Sequence, residues 1–214
     1  MRFLVISDLH QKRSAVEWIN RVIHEKGAEF VMFLGDVTDF GTVEDARKIV
    51  SAIDSKVYVI PGNCDPRDLP DGISDVAVDL HGKAVEIGGY RFVGLGGSNI
   101  TIFGTIFELT EEELYDGLKR NASEKMVLVT HAPAYGTLDH IPSGASVGSP
   151  AVMRIVEEYH PILALSGHIH EDVGTFEKDG TVFLNPGPAK EGRCAIVDLD
   201  GEEVKVTLLG PKDV

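Results

Sequence analysis

Cysteine is scarce. Cys64 and Cys194 are the only two among 214 residues. They could close at most one bridge, and so distant a pair has no zinc-finger spacing. That usage suits a reducing compartment and excludes a disulfide-stapled scaffold. Positive charge is also sparse: 20 Lys and Arg face 34 Asp and Glu, a formal charge of −14. An acidic surface repels a phosphate backbone, so extended nucleic-acid binding is not expected. A small anionic substrate stays open, because bound cations can invert the local field. Long apolar runs are missing as well. A membrane helix needs about 20 consecutive apolar residues, and no such run occurs. The first strand-like segment meets Asp8 too soon for a signal peptide, and the expected location is cytoplasmic. Without a secretory signal, the sequons at Asn99 and Asn121 are chance matches. No Pro/Gly/Ser-rich linker divides the chain, so residues 1–214 are expected to form one domain.

What is present is a periodic pattern. Arg2–Ser7, Phe30–Leu34 and Val57–Ile60 read as strands, separated by helices over Ser14–Lys26 and Thr42–Ala52. Strand–helix alternation of this kind predicts a parallel sheet in an α/β protein. Ser14 with Glu17 has capping-box spacing, and Gly27 supplies a stop. Further strands are expected at Val76–Leu80, Lys83–Ile87 and Tyr90–Leu95, with a tight hairpin at Gly88-Gly89. Thr110 with Glu113 opens a helix to Asn121, and Ser149-Pro150 opens another to His160. Met126–Val129 and Ile162–Leu165 read as strands. The end is β-rich, over Val173–Glu177, Thr181–Leu184, Cys194–Leu199 and Val204–Leu208.

The potential ligands cluster where strands end. The stretches are Ser7-Asp8-Leu9-His10, Gly35-Asp36-Val37-Thr38-Asp39, Gly62-Asn63-Cys64-Asp65, Thr130-His131 and Gly167-His168-Ile169-His170. The carboxyl edge of a parallel sheet is where α/β proteins bind ligands. Asp8 and His10, like His168 and His170, stand two apart, so on an extended strand each pair would converge on one point. Carboxylate, imidazole and amide form an N/O donor set suited to Mn, Fe, Zn, Co or Ni. Any one of these pieces could be an ordinary turn, cap or buried histidine. Five of them at five strand ends point to a metal site.

In this order and spacing, the motifs resemble those of the calcineurin-like metallophosphoesterase superfamily, over Asp8 to His170. The chain is similar to its small, cap-less phosphodiesterase-type branch, which carries Cys in the third motif. Gly96-Gly97-Ser98-Asn99 and Asn185-Pro186-Gly187-Pro188 resemble Icc-related bacterial and archaeal phosphoesterases. The resemblance implies a four-layer sandwich of two mixed β-sheets flanked by helices. It also implies two divalent ions, manganese foremost, with Ni, Co, Fe or Zn as alternatives. Asp8, His10, Asp36 and His170 would hold one ion, and Asp36, Asn63, His131 and His168 the other. Asp36, Asn63, His131 and Cys64 become the candidate catalytic residues. Cys64 stands where many members carry His, and a thiol is the weaker hydrogen-bond donor. A buried small hydrophobe is an equal reading of it.

Asp39 and Asp65 are expected to orient ligands or backbone, or simply to cap turns. Two long loops, 96–109 and 132–148, adjoin the metal edge and are of a length often tied to function. They offer Ser98, Asn99, His140 and Ser146 as substrate contacts. Gly144-Ala-Ser146-Val-Gly148 matches a serine-hydrolase elbow but lacks the strand that must precede one. The expected activity is hydrolysis of a small phosphodiester by a metal-bridging hydroxide. The alternatives are a phosphomonoesterase, a phosphoanhydride hydrolase, or a non-catalytic scaffold resembling the retromer small subunit. The composition leaves room for a homodimer, and the expected partner is a small phosphorylated substrate.

Overall fold

Side-chain alternation decides the layering. The computed structural model describes residues 1–213. In β1 (Arg2–Ile6), β2 (Val31–Phe33) and β3 (Val57–Val59), alternate residues face opposite sides. Leu4, Ile6, Val31, Phe33, Val57 and Val59 enter one apolar cluster with α1 (Ser14–Lys26) and α2 (Val43–Val50). Phe3, Val5, Met32 and Tyr58 enter a second cluster, which lies between two sheets. Both faces of these strands are therefore covered, which is why they read as unbroken apolar runs.

The first sheet is completed by β4 (Val78–Asp79), β13 (Cys194–Asp200) and β14 (Glu203–Leu209), in the order β14-β13-β1-β2-β3-β4. β1 to β4 are mutually parallel, and β13 pairs antiparallel with β1. The second sheet contains β5 (Lys83–Ile87), β6 (Tyr90–Leu95), β9 (Val127–Thr130), β10 (Leu163–Leu165), β11 (Gly174–Lys178) and β12 (Thr181–Asn185). Its order is β11-β12-β10-β9-β6-β5, with a parallel centre and antiparallel edges. Its outer face packs on α4 (Glu111–Lys119) and α5 (Pro150–Tyr159) through Val93, Leu118, Leu128, Ile155 and Phe183. The result is helix, sheet, sheet, helix: two mixed sheets flanked by helices, as the resemblance implied.

Local signals succeeded where the backbone around them was ordinary. Thr110 and Glu113 form a reciprocal capping box, and Ser149 caps α5 with Pro150 in the first turn. Gly88 and Gly89 both take positive φ, 58° and 87°, at the tip of the β5–β6 hairpin. The expected capping box at Ser14 is absent. Arg13 is the N-cap and carries no side-chain cap bond. Lys12 and Arg13 already lie in a turn that accepts from Ala15 and Val16, so Ser14 is inside the helix. The strand expected at Val76–Leu80 shrinks to β4, because Val76 and Ala77 donate backward to Ile73 O. A short helix α3 (Leu69–Gly72), a two-residue ladder of β7 (Ser98–Asn99) with β8 (Glu108–Leu109), and a 3-10 turn at Ala189–Glu191 carried no sequence signal. Among the described residues, no helix is long and apolar enough to cross a membrane.

Candidate metal centre

The parallel strands β1, β2 and β3 of one sheet, and β9 and β10 of the other, release their chains at the same edge of the sandwich. Asp8, His10, Asp36, Asn63, His131, His168 and His170 all meet there. Ligand atoms of Asp8, His10 and His170 lie within 4.8 Å of one another, as do those of Asp8, Asp36 and His131, and of His10, Asp36 and Cys64. His170 Nε2 is 3.2 Å from Asp8 Oδ1, and His10 Nε2 is 3.6 Å from Asp36 Oδ2. His131 Nε2 is 3.6 Å from Asp36 Oδ1. Asp36 thus stands between the His10 side and the His131 side.

The histidine spacing works differently from the strand argument. Asp8, His10, Asp36 and His168 all have positive φ, between 46° and 67°, and lie beyond the strand ends. Tight left-handed turns therefore aim these side chains. Such a backbone costs on the order of 1 kcal/mol or more per non-glycine residue, and such strain gathers at functional sites. His168 and His170 also do not converge. The His168 ring packs against His131 at 5.1 Å, and the His170 ring against His10 at 5.4 Å. The pair splits between two subsites.

Second-layer bonds hold the cluster. The backbone N–H of Cys64 donates to Asp36 Oδ1 at 2.8 Å, and that of His168 to Asp8 Oδ2 at 3.1 Å. Asp65 is buried and accepts from the N–H groups of Gly62, Val37 and Thr38 and from the Thr38 hydroxyl. It ties the turn after β2 to the turn after β3, the orienting role expected of it. Asp39 is largely exposed and 3.8 Å from His10 Nδ1, too far for a hydrogen bond. Asn185, in the Asn-Pro-Gly-Pro stretch, donates to the carbonyls of Ile169 and Asp172 and so fixes the loop carrying both histidines. A Cβ on Gly62 would strike the Asp36 carboxylate, and one on Gly167 would strike Ser7 Oγ. Glycine is required at both positions by these close approaches.

The electrostatics are those of a site built for positive charge. Burial opposes ionisation of Asp8, but the His170 imidazole, 3.2 Å from Oδ1, and the charge of His131 outweigh it and hold the carboxyl below the usual range. Asp36 is lowered too, against burial, by His131. Both nitrogens of His131 face oxygens: Nδ1 meets Leu34 O at 2.7 Å and Nε2 meets Asn63 Oδ1 at 2.9 Å. Despite burial, Asp36 pushes this imidazole up to about 9. Burial and the neighbouring His131 charge push His168 down to about 4. Burial and Asp36 drive Asp65 up to about 6. The same two causes push the Cys64 thiol well above its ordinary value, so it stays protonated.

These residues fit a divalent cation. Asp8 Oδ1 and His10 Nε2 are buried and have no hydrogen-bond partner, and buried polar atoms are rarely left so. Two acids at the centre of four imidazoles and an amide make a donor set for borderline transition ions.

The surrounding loops differ from expectation in part. Ser98 is fully buried with its hydroxyl on Asn99 O, which leaves it no surface for a substrate. Asn99 donates to Val147 O and so joins the two long loops, while its Oδ1 is buried and unpartnered. His140 is half exposed, with Nδ1 2.8 Å from Asp172 Oδ2. Ser146 bridges to His140 through the backbone, in a loop with no preceding strand, so the elbow match is accidental. Sequence reasoning missed Asp139, which is fully buried and accepts from Gly136 and Gly148 N–H. Its position between glycines in a long loop was the available signal.

An uncharacterized protein of Methanocaldococcus jannaschii is 32% identical over 199 residues, 88% of each chain. A dimetal phosphatase from Danio rerio superposes with a TM-score of 0.71 at 13% identity, covering 98% of this chain and 96% of that one. A structure described as a novel archaeal phosphodiesterase gives 0.59 at 16% identity, covering 98% of this chain and all of the other. At such identities the two structures show the shared fold. The family model for calcineurin-like phosphoesterases matches residues 1–172, which include every motif at the edge of the sandwich. The chain belongs to the calcineurin-like phosphoesterase family.

Proposed function

We propose that the protein hydrolyses a phosphodiester of a small molecule at a site holding two divalent ions, manganese foremost, in the cytoplasm. Asp8, His10, Asp36 and His170 hold one ion, and Asp36, Asn63, His131 and His168 the other, with Asp36 shared. The observation that carries this reading is the unpartnered, buried Asp8 Oδ1 and His10 Nε2 at the centre of the cluster. When bound, such ions acidify water toward a pKa of about 7 and neutralise charge on phosphoryl oxygens.

The chain's own residues do the rest. Cys64 N–H and His168 N–H orient the carboxylates of Asp36 and Asp8, so that each presents one oxygen inward. Leu34 O holds the proton on His131 Nδ1 and so directs Nε2 to the site, a common device for ligating histidines. Cys64 sits in the third motif as a neutral thiol beside Asn63 Nδ2. A thiol is a weak donor and a poor general acid, which favours diesters and activated aryl esters over alkyl monoesters. Its raised pKa also makes it a poor nucleophile, and water acidified by the ions would take that part instead.

The test is metal analysis together with turnover of bis(p-nitrophenyl) phosphate and p-nitrophenyl phosphate, with Mn, Ni, Co, Zn or Mg added. About two ions per chain with diester turnover is expected. A chiral thiophosphate diester should invert at phosphorus. A folded protein that takes up no ions, or net retention of configuration, refutes the proposal.

A further inference from the structure

The loop between β7 and β8 is built inside out. Its polar side chains turn inward: the Thr101 hydroxyl, the Thr105 N–H and the Thr105 hydroxyl all donate to Glu108 Oε1, and the Phe103 N–H donates to Thr101 Oγ1. Its apolar side chains turn outward. Ile102 is 95% exposed, Phe103 79%, Ile100 65% and Ile106 42%. Arg67 clamps the base by donating to the carbonyls of Ile106 and Glu108 while lying over the Phe107 ring. The loop is therefore held in a shape that keeps apolar surface in water.

That surface adjoins the metal centre. The Phe107 N–H donates to Asn63 O at 3.0 Å, and the Phe40 N–H donates to the adjacent Cys64 O at 3.2 Å. Asn99 reaches Val147 O, and Tyr135 N–H donates to Ser149 O, so the 132–148 loop flanks the same rim. Phe40 and Tyr135 are themselves about half exposed. Of the eight large hydrophobics exposed among the described residues, six stand on segments rooted at the metal edge. Phe176 and Leu208, on edge strands, are the other two. An apolar surface concentrated this way marks a binding site. A net charge of −14 disfavours an anionic bilayer as its occupant. Six residues are also few beside the roughly 20–30 residues a side of a standard interface.

We propose that the substrate is a phosphoester carrying an apolar alkyl or aryl group, which lies on Ile100, Ile102, Phe103 and Ile106 while the phosphoryl group occupies the metal centre. This rests on the phosphoesterase reading above. The apolar group gains by leaving water, and the loop already presents a fixed surface to receive it.

The experiment uses p-nitrophenyl n-alkyl phosphodiesters from methyl to octyl, with the metal-loaded protein below micellar concentrations. kcat/KM should rise about two- to fourfold per added methylene, the upper value corresponding to complete burial of a CH2. In the double variant Ile102→Ser/Phe103→Ser, the octyl-to-methyl ratio should fall toward one. Both sites are exposed, and an unchanged melting temperature verifies the fold. Calorimetric binding of octyl- against methylphosphonate gives a readout independent of turnover and should favour octyl by at least tenfold. A flat series in a protein that hydrolyses the methyl diester overturns the inference and leaves the phosphodiesterase reading standing. No turnover of any ester, with octylphosphonate still preferred, refutes the phosphodiesterase reading and supports the apolar subsite. A flat series with self-association that the double variant abolishes overturns the inference in favour of a second copy of the chain.

Discussion

The floor and the rim of the site follow opposite rules. On the floor, Asp8, Asp36 and His131 are buried and are positioned by backbone groups from the turns that follow other strands: His168 N–H, Cys64 N–H and Leu34 O. On the rim, the 98–109 loop is held mainly by its own side chains and leaves Ile102 and Phe103 in water. The floor inherits its rigidity from the apolar layer between the two sheets. The rim depends on a few local hydrogen bonds around Glu108. Damage to the floor should therefore appear in metal binding and stability together, and damage to the rim in substrate preference.

The largest effect is expected at the centre of the floor. Asp36→Asn should lower kcat/KM by at least about 100-fold, the upper scale for losing a group that supports a bound ion. It should also reduce the metal content of the purified protein. A variant with full metal content and near-normal turnover would remove Asp36 from the centre.

Gly167→Ala should be the next most damaging. The new Cβ has no room beside Ser7 Oγ and lies 2.7 Å from Asp8 Oδ2. Forcing it in should cost about 1–3 kcal/mol of stability, read from denaturant melts, and weaken metal binding through Asp8. By contrast, Gly104→Ala at the rim meets open space, though its φ of 60° carries strain, and it should leave metal content unchanged. Equal loss of metal in both variants would erase the distinction between floor and rim.

The third comparison uses pH. With its pKa pushed up to about 9, His131 stabilises the metal-free fold fully below its unfolded value of about 6.5. That contribution is lost as pH rises through 9. His168, at about 4, is neutral in the fold throughout this window, and its unfolded imidazole is half protonated only at the window's lower end, so it opposes the trend weakly there and not above about pH 7.5. Metal must displace the His131 proton, so its affinity should rise over the same interval. The melting temperature of metal-free protein should fall from pH 6.5 to 9, while the increment from added Mn grows. A constant increment would show that His131 binds no ion.

The smallest effect is expected at Cys64. Cys64→His should shift the monoester-to-diester ratio of kcat/KM upward by about two- to tenfold, well short of the roughly 10²–10⁴-fold of full general-acid help. An unchanged ratio at equal metal content would move the determinant of preference to the rim.

Much of this protein was legible as sequence. The apolar runs at Arg2–Ser7, Phe30–Leu34 and Met126–Val129 announced strands, and the structure covers both faces of each, which is why they lack alternation. Thr110 with Glu113 and Ser149 with Pro150 announced helix starts, because capping is a contact within four residues. The acids and histidines at five strand ends announced the edge that binds. Ser14 shows the limit of such reasoning: the turn before it, set by Leu9 and Lys12, moved the helix start back by one residue. Only the tertiary structure decided that His168 and His170 separate toward different partners, that left-handed turns rather than a pleat aim Asp8 and His10, and that Ser98 is closed off. The physical reason is that these outcomes depend on atoms far away in the chain. His168 N–H meets Asp8 across 160 residues, and His131 meets Leu34 across 97. No local propensity encodes which way a loop turns when a second sheet supplies the other half of its hydrogen bonds.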